Sequence, residues 1–352
     1  MRRIQSACAV CSIAAILARV QPTTPEQPTE SSLPAGFAAR RPTAADTDAL
    51  LDLVAATDRA VLGTSDATRA AVEAELNAPG YDATHAGWLV EASGHAAAGW
   101  LWTDDDQDAN EIFVDAYALD DAVRSWLLDR ALDIVAAAAG ARPGLRATAG
   151  SYEHDRPYSG QLSARHFEVV RRFWHMTIDL TAERNRDRIA GASTPSARAR
   201  GSAVIRLAEQ TDDALRLVQR LQDESFADHW NHTARPFDEW LRRQELQPGY
   251  DPMQHWLAEI DGEPVGILLA DDRGADVGEG WVRTLGVIPH ARGRGVARAL
   301  LMVAFEDAAR RRRRRVRLGV DSANPTGATA LYESVGMTVD RVLLAWARSA
   351  VM

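Results

Sequence analysis

The chain repeats one structural plan along its length, and that repetition constrains its fold more than any other feature. Residues 41–50 (RPTAADTDAL) parallel residues 206–215 (RLAEQTDDAL). Each copy carries a Thr/Asp helix-start signal followed by an apolar-periodic helix. Farther on, Trp88-Leu-Val-Glu91 before Gly94 parallels Trp256-Leu-Ala-Glu259 before Gly262. These predict paired strands, 88–92 with 97–103 and 256–260 with 264–270. Each copy then offers a strand (111–118; 281–287), a long helix (121–139; 295–313), a strand (144–149; 316–320), a short helix and a closing strand (169–180; 338–347). The expected fold class is α/β with a mixed sheet, built twice.

Boundaries follow from composition. Prolines 22, 25, 28 and 34 among Ser and Thr mark a tail, so residues 1–35 read as an N-terminal extension. Its first twenty residues, with Arg2 and Arg3 before a mildly apolar run, resemble either a weak signal segment or a disordered leader. The low-complexity stretch 183–202 (ERNRDRIAGASTPSARARGS) reads as a linker. The expected domains are therefore 36–182 and 203–352, and 352 residues suffice for two cores.

Composition excludes several classes. All 40 basic residues are arginine, and 49 acidic residues set a formal charge of −9, which argues against a general nucleic-acid binder. The charge is uneven: residues 1–180 carry 15 Arg against 25 acids, residues 181–352 carry 25 Arg against 24. A polyanionic ligand would favour the second copy. Cys8 and Cys11 are the only cysteines, too few and too close for a disulfide framework. No later stretch approaches the roughly 20 apolar residues of a membrane span.

The chemistry concentrates in Trp281-Val-Arg-Thr-Leu-Gly-Val287-Ile-Pro-His-Ala-Arg292-Gly-Arg-Gly295-Val-Ala297-Arg298. An apolar strand runs into a short two-glycine loop, and a helix opens directly from it. Backbone N–H groups at such a helix start suit a pyrophosphate, with Arg292, Arg294 and Arg298 adding charge. The spacing is neither G-x-G-x-x-G nor a P-loop, whose lysine this chain lacks altogether.

Arg292-Gly293-Arg294-Gly295-Val296-Ala297 resembles the acyl-CoA pyrophosphate loop (Q/R-x-x-G-x-G/A) of the GNAT superfamily of N-acetyltransferases. Asn324-Pro-Thr-Gly-Ala328-Thr-Ala-Leu-Tyr332-Glu-Ser-Val-Gly336-Met is similar to that family's second signature. The match covers roughly residues 203–350. The doubled arrangement, with Ser225-Phe-Ala-Asp-His-Trp230 ahead of a proline and Trp240, resembles tandem members of the mycothiol synthase type. The resemblance implies two tandem GNAT folds and an acetyl-CoA-dependent N-acetyltransferase, acting on the amine of a small molecule by direct attack on the thioester. It places the pantetheine arm and oxyanion donor on Leu285, Gly286 and Val287, and the pyrophosphate on residues 292–298. Asn324 would bind the pantetheine or the Tyr332 segment, and Tyr332 would be the general acid for the leaving thiolate.

One departure stands out. Many members place a glutamate base six residues before the Val287 position, where this chain has Trp281. Glu279, two residues earlier on the same strand face, is the expected substitute, acting through a water. Glu224, His229 and His232 in the first-helix region are alternatives lining the acceptor pocket. A mycothiol-precursor amine and an aminoglycoside-like or peptide antibiotic are both open as acceptors.

The first copy diverges. Its strand 112–118 leads into Leu-Asp120-Asp121-Ala without glycine, placing carboxylates where a pyrophosphate would lie. The expectation is a degenerate N-terminal GNAT domain and an active C-terminal one. The rival function is a non-catalytic acyl-CoA-binding module.

Other features read as structural. The run Arg310–Arg315 suits a helix C-terminus. His229 and His232, with Asp228 beside them, have no further metal ligand at sensible spacing, and Asp104–Asp106 with Asp108 lacks a calcium loop's glutamate. The expectation is thus no metal, no nucleic acid, no membrane, a monomer or homodimer, and a cytoplasmic location, where acyl-CoA is found.

Overall fold

The computed structural model describes residues 32–65, 67–76, 87–94, 96–107, 109–192, 203–227, 234–247, 249–324 and 327–350. The N-terminal segment with Cys8 and Cys11, and the residues Asp228, His229 and His232, lie outside them. Two compact units divide the described residues: 32–173 with 342–350, and 174–341.

In the first unit, strands β1 (Phe37–Arg40), β2 (Gly87–Ala92), β3 (Ala97–Asp106), β4 (Glu111–Ala118) and β5 (Arg146–Tyr152) run in that order. The last seven residues of β12 (Thr338–Ser349) close the sheet against β5, from Leu343 opposite Tyr152 to Ser349 opposite Arg146. Pairing is antiparallel except for β4 with β5. Alternation along β3 decides which core each residue enters. Trp100 and Trp102 pack with Leu50, Leu53 and Val54 of α1 (Thr47–Leu62), while Leu101 packs with Val123 and Leu127 of α3 (Asp121–Ala139). Two shorter helices, α2 (Arg69–Leu76) and α4 (Arg156–Ser163), complete the unit.

The second unit orders its strands as the end of β6 (Glu168–Asp179), then β11 (Arg315–Asp321), β10 (Glu279–Val287), β9 (Glu263–Asp271), β8 (Tyr250–Ile260) and β7 (Ala203–Leu207). Helix α6 (Asp212–Phe226) starts at Thr211, whose hydroxyl accepts from the Ala214 amide, and buries Leu215, Val218 and Leu221. Helix α7 (Phe237–Glu245) adds Phe237 and Trp240, their rings stacked at 6.0 Å. Helix α8 (Val296–Arg310) buries Leu300, Leu301, Ala304 and Phe305. Cβ directions distinguish the two faces of the sheet. A methyl added at Gly266 would meet Val296 and Leu300, and one at Gly286 would meet Ser225 and Phe226. One face therefore belongs to α8, the other to α6.

Three expectations change. The closing strands do not stay with their own copies: residues 342–349 of β12 sit in the first unit, and residues 174–179 of β6 in the second. The stretch 183–202, expected as a linker, begins as α5 (Glu183–Ala192), and Ile189 is 7% exposed within the second core. Its polar composition hid a single apolar residue placed to enter that core. The long helix stops at Arg310 rather than 313, because Arg312 turns left-handed at φ 60° and starts the return to β11.

Candidate active site

Strand β10 pairs in parallel with β11 only from Glu279 opposite Arg315 to Val282 opposite Leu318, yet runs on to Val287. Beyond Val282 the two strands part. Among the described residues the edge of β10 at Thr284–Val287 facing β11 then has no ladder partner, so its peptide N–H and C=O groups can bond an extended ligand. The same strand pairs with β9 on its other edge, and the register shifts between Val282 and Thr284. This bulge changes which side chains share a face. Trp281 lies opposite Asp271 and Thr284 opposite Leu269, so Trp281, Thr284 and Gly286 face α6 although strict alternation would not allow it.

The strand leads into a glycine loop. Gly293 (φ 75°) and Gly295 (φ 81°) are left-handed, and an added Cβ at either would point into open space. Gly295 is the N-cap of α8, so the first amides of the helix point outward unhindered by side chains. Arg294 and Arg298 are exposed beside them. Arg292 is used differently from the expectation of a free cation. Its Nε donates to the Val287 carbonyl (3.1 Å) and its Nη2 to the Ser225 carbonyl (3.0 Å), strapping the loop to β10 and α6.

Helix α9 (Ala328–Ser334) carries Tyr332, which is 8% exposed and belongs to the second core. Arg298 Nη1 donates to the carbonyl and hydroxyl oxygens of Ser334, at 3.2 and 3.1 Å. The two sequence signatures are thereby fixed together. The Asn324 amide donates to the Asp321 carbonyl at 3.0 Å, turning the chain at the end of β11.

Glu279 is 9% exposed at the start of β10 and is ion-paired to Arg317 (3.0 Å) and Arg315 (3.6 Å). Six residues separate it from Leu285, on the order of 20 Å of strand. Trp281 meets His175 of β6 edge-on at 5.2 Å, and the Arg273 guanidinium lies 5.3 Å from its ring centre. Glu224 is half-exposed and lies 3.9 Å from Arg220.

The sequence reading missed the buried polar group behind Trp281. Arg283, the bulge residue, is 9% exposed, and among the described residues its Nε, Nη1 and Nη2 have no hydrogen-bond partner. His255, fully buried opposite Leu269, has none on either ring nitrogen among the described residues. Burial, with Arg283 beside it, holds the His255 imidazole down to about 4, so it is neutral. Burial likewise lowers Arg283 to about 10, against the pull of Asp271. A signal did exist: Arg283 is the one charge in the otherwise uncharged run 280–291.

The arginine run past α8 is engaged in ion pairs. Arg311 bridges Asp307 and Asp251 at 2.7 Å each, and Arg313 reaches Asp272 at 2.9 Å. Among the described residues no group of three His, Cys, Asp or Glu could hold a metal ion, and no helix is long and apolar enough to cross a membrane.

The first unit repeats the fork: β4 and β5 pair only from Glu111 opposite Arg146 to Val114 opposite Ala149. Its helix start is closed, however. The Asp120 carboxylate accepts from the Ala122 (2.8 Å) and Val123 (3.0 Å) amides at the N-terminus of α3. A carboxylate therefore already occupies the anion position.

Two forked mixed sheets, each followed by a helix start, define a tandem GNAT fold. The sequence comparisons agree. Residues 215–337 match the Acetyltransferase (GNAT) family. A mycothiol acetyltransferase from Beutenbergia cavernae is 34% identical over 52% of this chain and 61% of its own length. Another from Thermobispora bispora is 38% identical over 34% of this chain and 41% of its own. The chain thus spans less than two thirds of these relatives. Among solved structures, a GCN5-related N-acetyltransferase from Sphaerobacter thermophilus superposes with TM-score 0.73 at 24% identity, covering 91% of this chain and 97% of that one. A tandem GNAT protein from the clavulanic acid biosynthesis pathway gives 0.67 at 16% identity, covering 90% and 99%. The chain has a tandem GNAT fold, its second unit matches the GNAT family over residues 215–337, and its sequence is similar to mycothiol acetyltransferases.

Proposed function

We propose that the chain transfers an acetyl group from acetyl-CoA to the amine of a small-molecule acceptor, with the second unit as the active one. The observation that carries this reading is the junction of three elements: the unpaired edge of β10 past Val282, the open helix start at Gly293–Val296, and α9 tied to it through Arg298 and Ser334. The pantetheine arm bonds the peptide groups of Leu285–Val287, and the pyrophosphate takes the amides around Gly293, Gly295, Val296 and Ala297, with Arg294 and Arg298 adding charge. Arg292 holds that loop in shape, and Asn324 orients the segment leading to Tyr332.

The neutral amine attacks the thioester carbonyl carbon. Free alkyl amines hold their proton up to a pKa of ~10.4, so that proton must be removed. Glu279 enters as a relay base reached through water, since the strand puts it too far for contact. Negative charge builds on the thioester oxygen and is met by a β10 backbone amide. The carbon–sulfur bond then breaks, Tyr332 gives its phenolic proton to the departing thiolate, and the proton that the attacking nitrogen sheds on becoming an amide passes through water to restore the phenol. The products are the N-acetylated acceptor and free CoA.

A specific observation favours the other reading, an acyl-CoA binder without turnover: Trp281 fills the usual base position, and the Glu279 carboxylate is held by Arg317 and Arg315. Release of CoA thiol across a panel of amines, with acetyl-CoA binding followed by calorimetry, decides between them. Binding at one site per chain with amine-dependent thiol release supports transfer. Binding without release from any amine supports the module.

The homologues named mycothiol acetyltransferase bring a mycothiol-related amine into consideration as acceptor. A cytoplasmic location fits a cofactor found there, and either a monomer or a homodimer is compatible with one active unit per chain.

A further inference from the structure

Arg283 presents an imbalance of charge on the α6 side of the second sheet. It occupies the bulge where β10 leaves β11, next to the strand edge proposed to hold the thioester. The described groups that face it come from β9, the residues just past its end, and β8. Asp271 on β9 is fully buried and is already bound in a fork by Arg273, Oδ1 to Nε at 2.9 Å and Oδ2 to Nη2 at 2.7 Å. Tyr250 and His255 on β8 are uncharged, their rings edge-on at 5.5 Å. Asp251, next to Tyr250 in the chain, is directed to Arg311 and the Met253 amide instead. Counted among the described residues, Asp271 and Arg273 cancel, and the guanidinium of Arg283 remains as one buried positive charge whose three nitrogens make no hydrogen bond there.

Native proteins seldom bury a charge without a partner, because its lost hydration is not replaced. Where one persists, a partner supplied from outside is the physical reason for keeping it. A single surplus positive charge in a planar, five-donor group matches a single negative charge with two oxygens in a plane. A phosphate near −2 would overcompensate it.

We infer that Arg283 is the receptor for a carboxylate on the acceptor, so that the substrate is a small amine that also carries a carboxylate, and that Tyr250 and His255 line the same subsite. The inference rests on the acetyl-transfer reading for the word acceptor. The anion subsite itself stands on the geometry alone. Arg283 is here a specificity residue, and acetyl-CoA does not need it.

The test uses the full chain loaded with acetyl-CoA and matched primary amines of two to six carbons, each as the carboxylate, the carboxamide and the O-phosphoryl analogue. Calorimetry reads binding and thiol release reads turnover, for wild type, Arg283→Gln and Arg283→Lys. In wild type the carboxylates should bind at least ten-fold more tightly than the carboxamides. Arg283→Gln should abolish that preference, with the acceptor KM rising and acetyl-CoA affinity unchanged, while Arg283→Lys keeps part of it. Carboxylates and carboxamides binding equally would overturn the inference even if both are acetylated. A preference for the phosphoryl amines would overturn it too, as would an Arg283→Lys protein, folded by circular dichroism, that loses acetyl-CoA binding. An Arg283-dependent carboxylate preference without any thiol release would uphold the subsite and remove the enzymatic reading.

Discussion

Arg298, in the first turn of α8, donates to both the carbonyl and the hydroxyl oxygen of Ser334 at the end of α9. Those two helices carry the glycine loop and Tyr332, and Gly295 and Tyr332 lie 37 residues apart in the chain. The contact sets how far the phenol stands from the loop proposed to hold the pyrophosphate. Binding and proton transfer are then separable by mutation.

Tyr332→Phe should leave acetyl-CoA affinity within about two-fold of wild type and lower turnover by about 10²-fold, the low end of what general acid catalysis contributes. Calorimetry and thiol release on the same preparation check this. Unchanged turnover would remove Tyr332 as the acid.

Gly295→Glu places a side chain on a residue at φ 81° and a negative charge at a helix start. Strain of roughly 1–2 kcal/mol adds to repulsion of the pyrophosphate. Acetyl-CoA binding should become undetectable by calorimetry, with a melting temperature only a few degrees lower. Retained binding would move the cofactor site elsewhere.

Asp120→Ala removes the carboxylate that caps α3. The loss of about 1 kcal/mol should lower the melting temperature of the first unit by roughly 2–4 °C. Stoichiometry should stay at one acetyl-CoA per chain, because the first unit also lacks the glycines. Two sites in the variant would mean that Asp120 alone blocks the first unit.

His255 gives the second unit a pH dependence. Its imidazole is held down to about 4 in the fold, against 6.5 for the ordinary group. Between those values the unfolded chain binds a proton that the folded chain does not. Stability from this group is complete above about pH 6.5 and falls as pH drops toward 4, with a slope on the order of 1 kcal/mol per unit. His255→Leu should flatten that part of the stability curve and raise the melting temperature at pH 5. A curve as steep as wild type would assign the acid sensitivity elsewhere.

Much of this was legible along the chain. The glycine loop, the Tyr332 signature, the paired hairpins and the closed helix start at Asp120 are local patterns of turn, cap and periodicity, each set within about ten residues. Local sequence therefore determined the doubled plan and the elements that bear the two signatures. Tertiary structure decided what depends on partners distant in the chain. Strand register sends residues 342–349 to β5 in the first unit and 174–179 to the second, because a strand pairs by lateral hydrogen bonds that no local pattern encodes. The bulge between Val282 and Thr284 breaks the two-residue alternation and puts Arg283 beside Asp271, Tyr250 and His255. A charge in an apolar strand was visible in the sequence; that it is buried with no counter-charge of its own among the described residues emerges only when three strands bring their side chains to one face.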